Sequence, residues 1–109
     1  MSPYNRRDTN QKDILRCLER NNYFYSVTAD LKKGFPDILV ESHSGIWVLF
    51  EIKHDNETLT PDEQAFKDKF GSAACHKIES CEELLMIMRH YDCQTIILWR
   101  DRVIERSEI

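Results

Sequence analysis

Asp37, Glu51 and Lys53 are the residues of this chain whose types and spacing could do chemistry. Asp37 opens the apolar run "DILVE", and Glu51 and Lys53 lie in "IWVLFEIK", with Glu51 fourteen positions after Asp37. Acids inside such runs are costly unless something offsets their charge. A hairpin supplies the geometry. Opposed residues of an antiparallel pair have a constant index sum, and a turn centred on Ser44 in "SHSG" sets that sum at 88, pairing Ser42 with Ile46 and Asp37 with Glu51. Opposed Cβ atoms lie about 4.5–5.5 Å apart, where like charges are destabilising unless a cation stands between them. A register slip of one would still leave the acids near neighbours. Strand alternation turns Glu51 and Lys53 to one face and Ile52 to the other. The plainest reading of the trio is an edge ion pair, worth about 0–1 kcal/mol if exposed. The sharper one is metal-assisted phosphodiester hydrolysis. Hard carboxylate oxygens suit Mg²⁺, which keeps other positions for water and substrate phosphate, while a lysine ammonium offsets developing negative charge.

The elements that must position these residues follow in order. "DTNQKDILRCLER" (8–20) has Ile14, Leu15 and Leu18 at helical spacing and is stopped by Asn21 and Asn22. Lys12, Arg16 and Arg20 recur every fourth residue on its outer side, a stripe that commonly faces water and could face phosphate. "YFYSVT" (23–28) reads as a strand, and "DILVE" and "IWVLFEIK" as the two arms of the hairpin. Before Asp37, Gly34 permits unusual backbone, while Pro36 fixes φ and removes a donor, which puts the acid at the mouth of the strand.

"TPDEQAFKDKFG" begins a second helix with Thr60 as N-cap, Pro61 at N1 and Glu63 at N3, places Phe66 and Phe70 on one face, and ends at Gly71. A short strand at "CHKIE" (75–79) precedes a third helix, where Ser80 and Glu83 form a capping box ahead of Leu84, Ile87, Met88 and Tyr91. "TIILWR" and "RVIER" read as closing strands.

At 109 residues the expectation is one domain with a single sheet-and-helix core. Hydrophobic residues at 41% and charged residues at 31%, with three Gly and three Pro, exclude a disordered chain. No run approaches a membrane span, and "MSPYNRRDTNQ" lacks the apolar centre of a signal peptide, so a soluble, cytoplasmic protein with no membrane partner is expected. Its four cysteines are then expected as reduced thiols. Cys75, Cys81, His90 and Cys93 could be strung into a zinc site, although Cys81 and His90 fall at opposite ends of one helix; small buried apolar thiols are the plainer reading. The net charge of −4 argues against coating nucleic acid by charge alone. Residues 1–33 nevertheless carry seven Lys/Arg against four Asp/Glu, and the remainder eight against fifteen. The positive charge is at the front.

"GFPDILV", "WVLFEIK" and "LTPDEQAF", in that order, closely resemble the VRR-NUC branch of the PD-(D/E)XK nuclease superfamily, with its GxPD strand start, E-x-K strand and L-[ST]-P-x-x-Q-like helix opening. With "RRDTNQKDILRCLERNNY" in front, the chain is most similar to small stand-alone bacteriophage members, over roughly residues 6 to 90. The resemblance implies an α/β fold with a restriction-endonuclease-like core, a mixed and mostly four-stranded sheet flanked by helices. It also implies DNA cleavage with Mg²⁺ or Mn²⁺. By position, Asp37, Glu51 and the Ile52 carbonyl become metal ligands and Lys53 the catalytic lysine. Many relatives place a metal-binding glutamate in the first helix; its position falls at Gln11, with Asp8 one turn earlier as the other source of charge, and the two also make a D-x-x-Q cap. The family's glutamine in the second helix falls at Glu63 or Gln64, and because Glu63 is accounted for as a cap, Gln64 is taken as the functional residue. His54, turned away by alternation, is given a surface role.

The expected activity is therefore a metal-dependent endonuclease on DNA, with branched or junction DNA as substrate and a symmetric dimer to cut two strands. Its DNA-facing cations would be Arg6, Arg7, Lys12, Arg16, Arg20, Lys32 and Lys33. The alternative is a catalytically idle nuclease-fold module that binds DNA or a DNA-processing partner.

Overall fold

The computed structural model describes the backbone over residues 5–70 and 75–93, with side chains over 10–69 and 75–93. The described residues form an α/β unit with a four-stranded mixed sheet and three helices. Helix α1 (Asn5–Arg20) leads into β1 (Phe24–Val27), β2 (Ile38–Glu41), β3 (Trp47–Ile52), α2 (Pro61–Phe70) and β4 (Cys75–Ile78), and α3 spans 81–93. The strands lie in sequence order. β1, β2 and β3 are antiparallel neighbours, and β4 joins β3 in parallel after the α2 crossover. The two closing strands expected after residue 93 lie outside the described residues.

α1 begins three residues before the expected Asp8, so Asp8 and Gln11 lie inside it rather than capping it. It ends as expected: Asn22 takes a left-handed φ of 61°, and the Tyr23 N–H returns to the Leu18 carbonyl at 2.9 Å. In the hairpin, Ile38 opposes Phe50 and Val40 opposes Val48, the index sum of 88 that the Ser44-centred turn required. Gly45 supplies the turn's φ of 94°, and the Ser42 N–H bonds to the Ile46 carbonyl at 2.7 Å.

The two faces of the sheet differ in chemistry because successive side chains alternate. On one face Ile38, Val40, Val48, Phe50, Ile52 and Ile78 join Ile14 and Leu18 of α1 and Leu84 and Met88 of α3 in the core. Asp92 of α3 ties this layer to the hairpin turn, accepting from the Tyr23 hydroxyl and the His43 N–H, both at 2.7 Å. The other face carries Leu49, Glu51 and Lys53, with α2 against it through Glu63. No helix among the described residues is long and apolar enough to cross a membrane.

The cysteines depart from expectation. Cys17 of α1 and Cys81 of α3 form a disulfide, closing a loop of sequence separation 64. The zinc arrangement falls with it, because Cys81 is consumed; Cys75 is a buried free thiol and Cys93 an exposed one. The expectation of reduced thiols rested on compartment, whereas helix packing brings these two side chains together.

Candidate active site

Asp37 sits where the regular ladder ends. Its N–H bonds to the Phe50 carbonyl at 3.0 Å, and its carbonyl accepts from the Thr28 N–H at 2.8 Å, so its backbone is gripped from both neighbouring strands. Its Oδ2 accepts the Ile52 N–H at 2.8 Å, the place a backbone carbonyl would take in a continuing ladder. The side chain is thereby fixed beside Glu51. Continuation fails for a reason in the sequence: Pro36 has no N–H, and the Phe35 N–H is turned to the Lys32 carbonyl at 3.1 Å. Neither residue that could extend β2 opposite Ile52 donates to the Ile52 carbonyl.

Gly34 explains how α2 reaches this mouth. It adopts φ +84°, and a Cβ there would lie 2.6 Å from the Asp62 carbonyl oxygen, so the chain before Asp37 touches the first turn of α2. Phe35 and Phe66 pack edge to face at 4.8 Å between ring centroids and secure the contact. Docked this way, the first turn of α2 delivers Glu63 to the site.

Three ionisable side chains meet there. Lys53 Nζ is 2.8 Å from Glu63 Oε1 and 3.9 Å from Glu51 Oε1, and the lysine is only 2% exposed. Glu63 also performs the capping role expected of it: the Thr60 N–H donates to its Oε1 at 2.8 Å, and its own N–H donates to Thr60 Oγ1 at 3.3 Å. One carboxylate is helix cap and lysine partner at once. Burial pushes the Glu51 carboxyl up to about 9, helped by its hydrogen bond to Glu63 and the charges of Asp37 and Glu63, against Lys53. For Glu63 burial also works upward, but hydrogen bonds from Glu51, Lys53 and the Thr60 N–H outweigh it and hold the group down at about 2. The opposite directions of the two shifts favour the proton on Glu51, facing the Glu63 carboxylate.

The structure brings Asp37, Glu51 and Lys53 together at the hairpin mouth, but the regular pairing stops at Ile38 and Phe50, and the Asp37 N–H bonds to the Phe50 carbonyl in place of the expected Asp37–Glu51 pair. It adds Glu63 and leaves Gln64 out: Gln64 is exposed and donates to Asp68 one turn along α2, at 2.8 Å. Gln11 is half-buried on α1. Among the described side chains of α1, Asn10 reaches the strand ends: its amide donates to the carbonyls of Lys53 (2.9 Å) and Glu79 (3.2 Å) and clamps β3 to β4. The side chains of Arg6, Arg7 and Asp8 lie outside the described residues. Lys12, Arg16 and Arg20 are exposed on α1, which covers the opposite face of the sheet, and Arg16 is 4.0 Å from Asp13. Lys32 and Lys33 are exposed beside Gly34, and Lys33 pairs with Asp62 at 3.4 Å. His54 sits against its neighbour Asp55 at 3.1 Å.

A divalent cation fits this chemistry by donor type. Asp37 and Glu51 are buried hard-oxygen donors on one side of the hairpin mouth, and the Ile52 carbonyl has no ladder donor from Phe35 or Pro36. No ready-made cluster of three His, Cys, Asp or Glu side chains in ligating arrangement occurs among the described residues. Glu51 would have to give up its proton to serve as a ligand. No protein-family profile, curated protein or solved structure matched this chain.

Proposed function

We propose that the protein is a Mg²⁺- or Mn²⁺-dependent endonuclease that hydrolyses DNA phosphodiester bonds on a restriction-endonuclease-like core, acting on branched DNA as a homodimer. The observation that carries this reading is the burial of Asp37, Glu51 and Lys53 together at the hairpin mouth, at 7%, 4% and 2% exposure. An edge ion pair would be solvated. Burying ionisable groups is expensive, and three of them beside an interrupted ladder suit a site better than a scaffold.

Asp37, Glu51 and the Ile52 carbonyl would hold the cation, which when bound supplies Lewis-acid stabilisation of negative charge on the phosphodiester. Asp37 is oriented by the Ile52 N–H, so its carboxylate needs no reorganisation to serve. Glu51 would have to be deprotonated to hold the cation. Lys53 then offers its ammonium to the reacting phosphate, and Glu63 is the positioning residue that aims it.

The test incubates the protein with four-way junction, flap, single-stranded and duplex DNA in Mg²⁺, Mn²⁺ or EDTA, alongside Asp37→Asn. The asparagine keeps an oxygen for the Ile52 N–H and removes only the charge. Cleavage is expected with metal, none in EDTA, and a loss on the order of 100-fold or more in the variant. Cleavage that survives Asp37→Asn would sink the site. Binding without cleavage under every condition would favour the idle module, a reading supported by the engagement of Lys53 with Glu63 at 2.8 Å.

A further inference from the structure

A narrow cleft opens between α2 and β4 directly beside Glu51, with Gly34, Glu51, Glu63, Lys67, Cys75 and Lys77 in its walls. It leaves about 10 Å³ at its centre, room for roughly one water or small ion. Its base is acidic and its rim is basic. Lys77 is the register partner of Glu51 across the parallel β3–β4 pair, so both side chains leave the sheet on the same face. Lys67 lies one helical turn beyond Glu63 on α2 and is close enough to Cys75 to lower its thiol against the effect of burial.

These two lysines differ from the other cations near the site in what they touch. Lys53 is held by Glu51 and Glu63, and Lys33 by Asp62. Lys67 and Lys77 have no carboxylate ion-pair partner among the described residues; the Lys77 ammonium donates to the Glu57 carbonyl at 2.9 Å and keeps its full charge and two further donors. A polyanion approaching Glu51 needs cations that are not already neutralised. The basic stripe of α1 cannot provide them at this cleft, because α1 covers the other face.

Resting on the nuclease reading above, we propose that Lys67 and Lys77 form a phosphate-binding subsite, which seats a backbone phosphate of the nucleic acid strand next to the one facing Glu51 and Lys53. The subsite fixes the direction in which the strand crosses the sheet, from the hairpin mouth over β4. It also identifies the DNA-facing cations as residues of α2 and β4 rather than the α1 stripe.

The experiment measures binding in EDTA, where no turnover occurs, by fluorescence anisotropy of labelled single-stranded and junction DNA from about 50 to 200 mM salt. Wild type is compared with Lys67→Gln, Lys77→Gln, the double variant and Arg16→Gln/Arg20→Gln, with thermal melts to verify folding. The double variant should bind about tenfold more weakly, and its slope of log K against log salt should fall by about 1.4 on single strands and 1.8 on duplex arms. Each single change should take about half of that, and the Arg16/Arg20 variant should retain the wild-type slope. An unchanged slope in the double variant overturns the subsite, and so does failure of the wild type to bind. Metal-dependent cleavage measured separately keeps the two ideas apart. A wild type that cleaves while the double variant keeps its slope leaves the nuclease and loses the subsite; lysine-dependent binding without cleavage does the reverse.

Discussion

Replacing Lys53 by methionine isolates the charge that holds the site together. The side chains of Lys53 and Glu63 are 3% and 12% exposed and 2.8 Å apart, so solvent does little to screen the pair. Removing one partner of a buried pair costs about 3–5 kcal/mol, because the other charge is left uncompensated. The Thr60 N–H continues to serve Glu63 Oε1, which sets the expectation at the lower end, about 3 kcal/mol, or a fall in melting temperature of roughly 10–15 °C. Glu63→Gln in the Lys53→Met background should recover part of that loss, because the stranded carboxylate is then gone. The double-mutant cycle, measured by urea denaturation in EDTA, should give a coupling of about 1–3 kcal/mol. Additivity within about 0.5 kcal/mol, or a Lys53→Met cost below about 1 kcal/mol, would refute the idea that Glu63 and Lys53 act as one unit.

Other outcomes follow from the same geometry. Asp37→Ala strands the Ile52 N–H and should destabilise by about 1–3 kcal/mol in urea titrations, whereas Asp37→Asn should cost clearly less; equal costs would mean that the 2.8 Å bond contributes nothing. Gly34→Ala forces a Cβ against Asp62 at positive φ and should lower stability by about 2 kcal/mol, an effect absent if α2 docks elsewhere. Glu51, held at about 9, keeps a proton that the unfolded chain releases near its ordinary value of 4.5, so metal-free stability should fall as pH rises between those values. Glu63, held at about 2, adds stability that is lost only as pH falls from 4.5 toward 2. Glu51→Gln should flatten the upper limb; a pH profile identical to wild type would show that Glu51 is not protonated. Reduction of Cys17–Cys81 releases a constraint over a separation of 64 residues, worth about 4 kcal/mol, and urea midpoints with and without reductant should differ accordingly.

Much of the site was legible because hairpin arithmetic is rigid. Once Ser44 centred the turn, the index sum and the period of two placed Asp37, Glu51 and Lys53 together, and β2 and β3 pair in that register. Glu63 was less legible, for a physical reason. A capping role does not exclude a second one: a single Glu63 oxygen accepts from both the Thr60 N–H and Lys53. The available signal was Gly34: a glycine needed for close approach marks where another element docks, and here that element is the first turn of α2. The Cys17–Cys81 bond had no local signal, since its partners meet only after α1 and α3 have packed on the same face. Asn10 was missed likewise, because an amide bridging the ends of two strands leaves no mark in the periodicity of its own helix.

The disulfide also determines what a protease could do to this molecule. The four described strands and α2 lie between Cys17 and Cys81, so one covalent ring carries Asp37, Glu51, Lys53 and Glu63. A single cut in the segment between β1 and β2, or between β3 and α2, would divide the backbone without releasing either half. Such a nicked protein migrates as one species until reductant is added and then as two. After a cut between β3 and α2, Glu63 and the Asp37, Glu51 and Lys53 group stay at a high local concentration of each other, even when no peptide bond joins them.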